Sequence, residues 1–182
     1  MLSFVVGAGI ALFVLWAVSL QRRLVVLDEN IHQAMNQIGV QLASRFDALT
    51  ALLDLSGTYA APECAVLNEE VRTHRRVITA TAAPTDVLQQ EEVIAETLHH
   101  IAALADQYPQ LAQDEDYAKR MRAVDSYARM MQTSRLIYND SVAKLNRTLR
   151  RFPTMLVGRL LGFHQQDYME AAAESAKAYM TD

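Results

Sequence analysis

A chain of 182 residues with a net charge of −4 has room for one domain plus an added segment. Lys and Arg are spread along it, which excludes a basic nucleic-acid face. The single cysteine, Cys64, excludes an internal disulfide and a thiolate metal site. Six Gly and four Pro among many Ala, Leu, Gln and Glu favour long helices.

Residues 2–20, LSFVVGAGIALFVLWAVSL, carry no charge. Nineteen residues at about 1.5 Å each span roughly 28 Å, the thickness of a bilayer's hydrocarbon core. No Lys or Arg precedes the run, as a signal peptide would require, although Ala17-Val18-Ser19 is a passable cleavage pattern. Trp16 stands where an amphipathic ring meets the interface, and Arg22 and Arg23 follow. Basic flanks stay cytoplasmic, so the expected topology is single-pass in the cell membrane, N-terminus out and bundle in the cytoplasm. An extracytoplasmic, periplasmic bundle is the alternative. Ser3, Gly7 and Ala11 form a small-xxx-small line suited to packing between membrane helices. The expected division is an anchor over 1–21 and a helical bundle over 22–182.

From Leu24 the apolar positions Ile31, Met35, Ile38, Leu42, Phe46, Leu49 and Leu53 recur mostly at three and four. Ile31, Leu42 and Leu53 are eleven apart, a spacing that keeps a helix nearly straight. No Pro or Gly lies between Trp16 and Ile38, so the span is expected to continue into the soluble part as one rod, ended by Gly57 and Pro62. A second helix is expected from Glu63 to about Ala82. A third follows Pro84, with Thr85 or Asp86 as N-cap, and runs to about Gln107. Tyr108-Pro109 makes the next connection.

The fourth helix has the clearest pattern. Tyr117, Met121, Val124, Ala128, Met131, Arg135, Tyr138, Val142, Leu145, Leu149 and Phe152 alternate at four and three, as in a coiled-coil or bundle seam. Beside it runs a polar line at spacing seven: Asp125, Gln132, Asn139, Asn146. Two readings are open for this line and for Arg135. It is a solvated rim, or it is a buried polar layer in which Asn139, Asn146 and Arg135 meet Arg45 and Asp47 on the first helix and fix register. Pro153 ends the helix. The apolar segment 155–163 then either folds back to cap the bundle or forms a contact surface, and a short helix is expected from Tyr168. The fold class is therefore all-α: a transmembrane helix continuing into an antiparallel four-helix bundle, with short C-terminal helices.

Arg135 to Asn146, "RLIYNDSVAKLN", resembles the R-x-x-Y-N-x-x-V-x-x-Y-N pattern of the LemA family. Phe152-Pro153, "MLVGRLLGF" ending in Gly162-Phe163, and "YMEA" at 168–171 are similar to the motifs that follow it in that family. "QIGVQLASRFD" at 37–47 resembles the family's Q-I-D-V-Q-L-K-R-R-Y-D, and "YPQL" its Y-P-x-L. Gly39 replaces the Asp of Q-I-D, Thr50-Ala51 replaces a Pro-Asn pair, and Leu145 replaces the second Tyr. The resemblance implies a helical, single-pass membrane protein of bacterial type and leaves the chemistry open.

Catalytic signatures are missing from the sequence: no nucleophile elbow, phosphate loop, H-E-x-x-H or dinucleotide fingerprint occurs. Glu96 and His99 make half of a di-iron motif without a second copy, and His99 and His100 point about 100° apart. The expectation is a membrane-anchored scaffold or interaction protein, not an enzyme, without cofactor or metal and without nucleic acid. Its partners would be the lipid bilayer, further copies of itself and other membrane proteins. A metal- or cofactor-binding bundle and a membrane-shaping protein are the alternatives.

Overall fold

The absence of proline and the long amphipathic register predict one rod, and the computed structural model has it. The model describes residues 2–169, apart from the side chains of Leu2, Ser3 and Val5. Helix α1 runs unbroken over Leu2–Ser56, a length of roughly 80 Å. Little of its apolar N-terminal part is covered by protein, whereas from Leu20 and Leu24 onward one face is buried. The apolar N-terminal part and the bundle therefore share one helix, with no break at residues 21–22.

The chain then folds up, down, up and down. Helix α2, Ala61–His74, returns along α1. A non-helical segment, 75–83, with a turn at Ala80–Thr81, brings the backbone of Ile78 under Gly39. Helix α3, Pro84–Gln107, rises again, and one turn, α4 (Pro109–Ala112), leads into α5, Glu115–Leu149. Tyr59 at the top of α1 donates to Asp114, the N-cap of α5, at 3.2 Å. Helix α5 descends antiparallel to α1, and the contact between these two helices is the most extensive in the molecule. Helix α6, Thr154–Leu160, packs with its Gly158 beside Leu24 of α1.

The seam residues named from spacing fill the core. Ile31, Met35, Ile38, Leu42, Phe46, Leu49 and Leu53 of α1 face Val124, Met131, Tyr138, Val142, Leu145 and Leu149 of α5, all buried. Burial of a large aliphatic or aromatic side chain contributes about 1.5–3 kcal/mol, so this stripe dominates stability. Cys64 is buried too, and burial and the neighbouring Glu63 raise its thiol pKa, which leaves it unreactive.

Three expectations are corrected. Helix α2 stops at His74, not near Ala82, where Val77, Ile78, Thr79 and Thr81 favour extended backbone and the chain must cross α1. Helix α3 is capped at Ala83, with Pro84 at its first position and the Asp86 carboxylate accepting from the Ala83 N–H at 3.2 Å. Phe152 is 80% exposed: α5 ends at Leu149, so the seam spacing no longer aims the residue inward. The C-terminal helix expected from Tyr168 falls mostly outside the described residues, and Tyr168 and Met169 themselves are extended.

Gly39 stands where the family pattern has Asp, and its backbone neighbour explains it. A Cβ here would lie 2.5 Å from the Ile78 carbonyl oxygen. Alanine has the better helix propensity by about 1 kcal/mol, but the clash is with backbone and cannot be relieved by a rotamer. Gly39→Ala is expected to destabilise the fold by about 1–3 kcal/mol in urea unfolding. A gain in stability would show that segment 75–83 moves freely.

Candidate functional site

The polar line on α5 leads to the C-terminal segment. After α6 the chain reverses at Gly162, whose φ of +84° is the left-handed conformation that favours glycine. The Gly162 N–H donates to the Arg159 carbonyl at 3.1 Å and the Phe163 N–H to that of Gly158 at 3.0 Å, the paired bonds of a Schellman cap. Phe163 packs on the core, and residues 163–169 run back along α5 in extended form.

Two asparagines hold this segment by its backbone. The Asn146 amide nitrogen donates to the Gln166 carbonyl at 2.8 Å, and its oxygen accepts from the Gln166 N–H at 2.9 Å. Asn139 does the same to Met169, at 2.9 and 2.8 Å. Between them Tyr138 donates its hydroxyl to the Asp167 carbonyl at 3.1 Å. Burial, with a smaller contribution from Asp167, pushes the Tyr138 phenol pKa up and keeps the donor protonated. The spacing matches. Seven helical residues rise about 10.5 Å, and three extended residues cover about 9–10 Å. An amide can donate and accept at once, so it pairs with the N–H and C=O of one residue as a neighbouring strand would.

Farther up, the charged residues converge on α3. Arg135 donates to Glu91 Oε2 at 2.8 Å, and Arg45 of α1 lies 3.9 Å from Glu91 Oε1. All three are largely buried. Burial raises the Glu91 carboxyl pKa, and the two guanidiniums pull it down only partly; burial likewise lowers that of Arg45, against Glu91 and Asp125. At Glu91 burial is the larger influence, and the cluster joins α1, α3 and α5.

The expected convergence of these groups is met in part. Arg45 and Arg135 do converge, through Glu91. Asp47 instead binds Arg75 at 2.8 Å on the exposed side, because two helical residues turn the side chain about 200° away from Arg45. Asn139 and Asn146 reach the C-terminal backbone and not α1. Segment 155–163 both caps and exposes: Gly158 is wedged between Leu149 and Leu24, whereas Leu156 and Leu160 face outward. Glu91 was missed. Its signal was its place on the buried stripe of α3, four residues after Val87 and three before Ile94. Glu96, His99 and His100 lie on the exposed face of α3, and no cluster of metal-ligating side chains forms among the described residues.

The LemA family model matches residues 34–181. The chain belongs to the LemA family. The match takes in the Gly39 crossing, the Arg45–Glu91–Arg135 cluster and the amide ladder. Thus the ladder is built from two positions of the LemA-like Y-N segment, Asn139 and Asn146, and the Gly162 reversal falls in the G-F motif. No curated protein matches the chain.

Asn146→Ala removes two hydrogen bonds to a buried site and is expected to cost about 2 kcal/mol in urea unfolding, with lost amide-exchange protection at Gln166. Asn146→Asp keeps the acceptor but sets a carboxylate against the Gln166 carbonyl, so it should not restore stability. For Glu91, a raised carboxyl pKa means that folding favours its protonated form, so its contribution falls as pH rises through the carboxyl range. Wild type should gain stability relative to Glu91→Gln as pH is lowered from 7 to about 4, measured by urea unfolding of both. The opposite slope would show that the two arginines dominate.

Proposed function

We propose that this LemA-family protein is a membrane-anchored helical scaffold that acts by contact with other proteins, including copies of itself, without catalysis of its own. The observation that carries the reading is the outer face of α5. Met130 and Ile137, seven residues apart, are half-exposed there, and Leu136 beside them is more exposed still. Met130 and Ile137 form an apolar line at heptad spacing on the outside of a rod whose inner seam is already filled, the arrangement by which helical rods associate. In the membrane part, Gly7 has nothing within 4 Å and Ala11 is exposed, so the small-residue line is open at these two positions.

The α1 span supports membrane anchoring, and Arg22 and Arg23 support a cytoplasmic bundle. The polar groups beside the seam are engaged in structural contacts. Asn139, Asn146 and Tyr138 bind backbone, and Arg45 and Arg135 bind Glu91. These uses support a binding role over a catalytic one.

Mass determination of the full chain in mild detergent tests the reading. Wild type is expected to form oligomers at micromolar concentration, and the Met130→Glu/Ile137→Glu pair to shift them to smaller species with the helical spectrum unchanged. Monomeric wild type would overturn self-association.

A further inference from the structure

Helix α6 presents an apolar face that the bundle leaves uncovered, and its position indicates what covers it. Leu160 is 87% exposed, Leu156 56%, and Phe152 just before the helix 80%. The opposite side of α6 is fixed: Gly158 is buried, and a Cβ there would lie 2.5 Å from Leu149 and 3.7 Å from Leu24 of α1. The apolar residues are therefore held outward by packing on α5 and α1.

The level along α1 is also fixed. Trp16, Ser19, Leu20 and Arg23 line one cleft with Thr148, Arg151 and Thr154. The end of α5 and the start of α6 thus lie beside the last turns of the span, over a rise of roughly 10 Å from Trp16 to Arg23. That stretch is where the apolar run gives way to charge, the zone of lipid headgroups. Arg150, Arg151 and Arg159 belong to the same end and add to Arg22 and Arg23. They lie too far along the chain to set topology by the charge rule, but they meet the surface of an anionic leaflet.

We propose that α6 is an interfacial foot: Phe152, Leu156 and Leu160 insert among the headgroups and upper acyl chains of an anionic membrane, with the arginines at its rim. Apolar side chains beside basic ones are the combination that holds a helix in the interface, and a second foothold fixes the angle at which the rod leaves the membrane. The inference rests on α1 spanning the bilayer.

The test uses the full chain in a Cys64→Ala background, reconstituted in phosphatidylcholine vesicles with and without phosphatidylglycerol. An environment-sensitive fluorophore is attached at Leu160→Cys, at Ile10→Cys in the span, or at Val77→Cys, which is exposed on the segment far from the span. Lipid-borne nitroxides are expected to quench the probe at 160 several-fold more than that at 77. Phosphatidylglycerol should deepen the quenching, and Arg150→Gln/Arg151→Gln/Arg159→Gln should abolish that increase. If position 10 is quenched and position 160 is in water, the foot is wrong and the anchor stands. If the probe at 160 is shielded from both water and nitroxides, a protein surface covers α6 and the foot is again wrong. If position 10 is not quenched either, the spanning reading fails and takes the foot with it.

Discussion

The antiparallel seam between α1 and α5 is the interaction on which the other elements depend. It runs from Leu24, just after the apolar N-terminal run, to the Tyr59–Asp114 contact at the far end. Because α1 is unbroken, the seam fixes the bundle relative to the apolar N-terminal part of the same helix. Two helices alone leave much of each other's apolar surface in water, so the seam needs further cover along its length.

That cover differs between the two halves. In the distal half it comes from α2 and α3, and α3 is tied to both long helices through Glu91. Toward the apolar N-terminal part of α1, α6 and the segment 163–169 supply it, with Met169 and Phe163 packed on the core. An extended segment brings a peptide unit at each residue, and its donors and acceptors require partners when buried. Asn139 and Asn146 supply them. This explains why amides persist beside an apolar seam: they bind backbone at sites where aliphatic residues would leave it unsatisfied.

The seam was legible in the sequence because spacing of three and four marks one face of a helix whatever it meets. The rod was legible for a similar reason, since nothing between Trp16 and Ile38 interrupts a helix. Where a helix ends against its neighbours was less legible. Phe152 continues the spacing but not the helix, and the stop at His74 reflects a crossing at Gly39 that only the packed structure contains. The polar residues were recognised as unusual, but their partners were not. Gln166 and Met169 are 20 and 30 residues from their asparagines, and they contribute main-chain atoms, which leave no trace in residue identity.

Backbone recognition has a consequence for how such a protein varies. Bonds to Gln166 and Met169 constrain the spacing of the segment, three residues against seven on α5, but not its side chains. A deletion or insertion between 166 and 169 would put one clamp out of step. A substitution at the exposed positions 167 and 168 would leave both clamps intact, whereas proline at 166 or 169 would remove an N–H that Asn146 or Asn139 accepts. The firm requirements therefore fall on the two asparagines and on the reversal at Gly162 that delivers the segment to them. Leu145, where the family pattern has a tyrosine, illustrates the distinction: it is buried in the seam as an apolar residue, while Asn146 beside it retains both bonds to backbone.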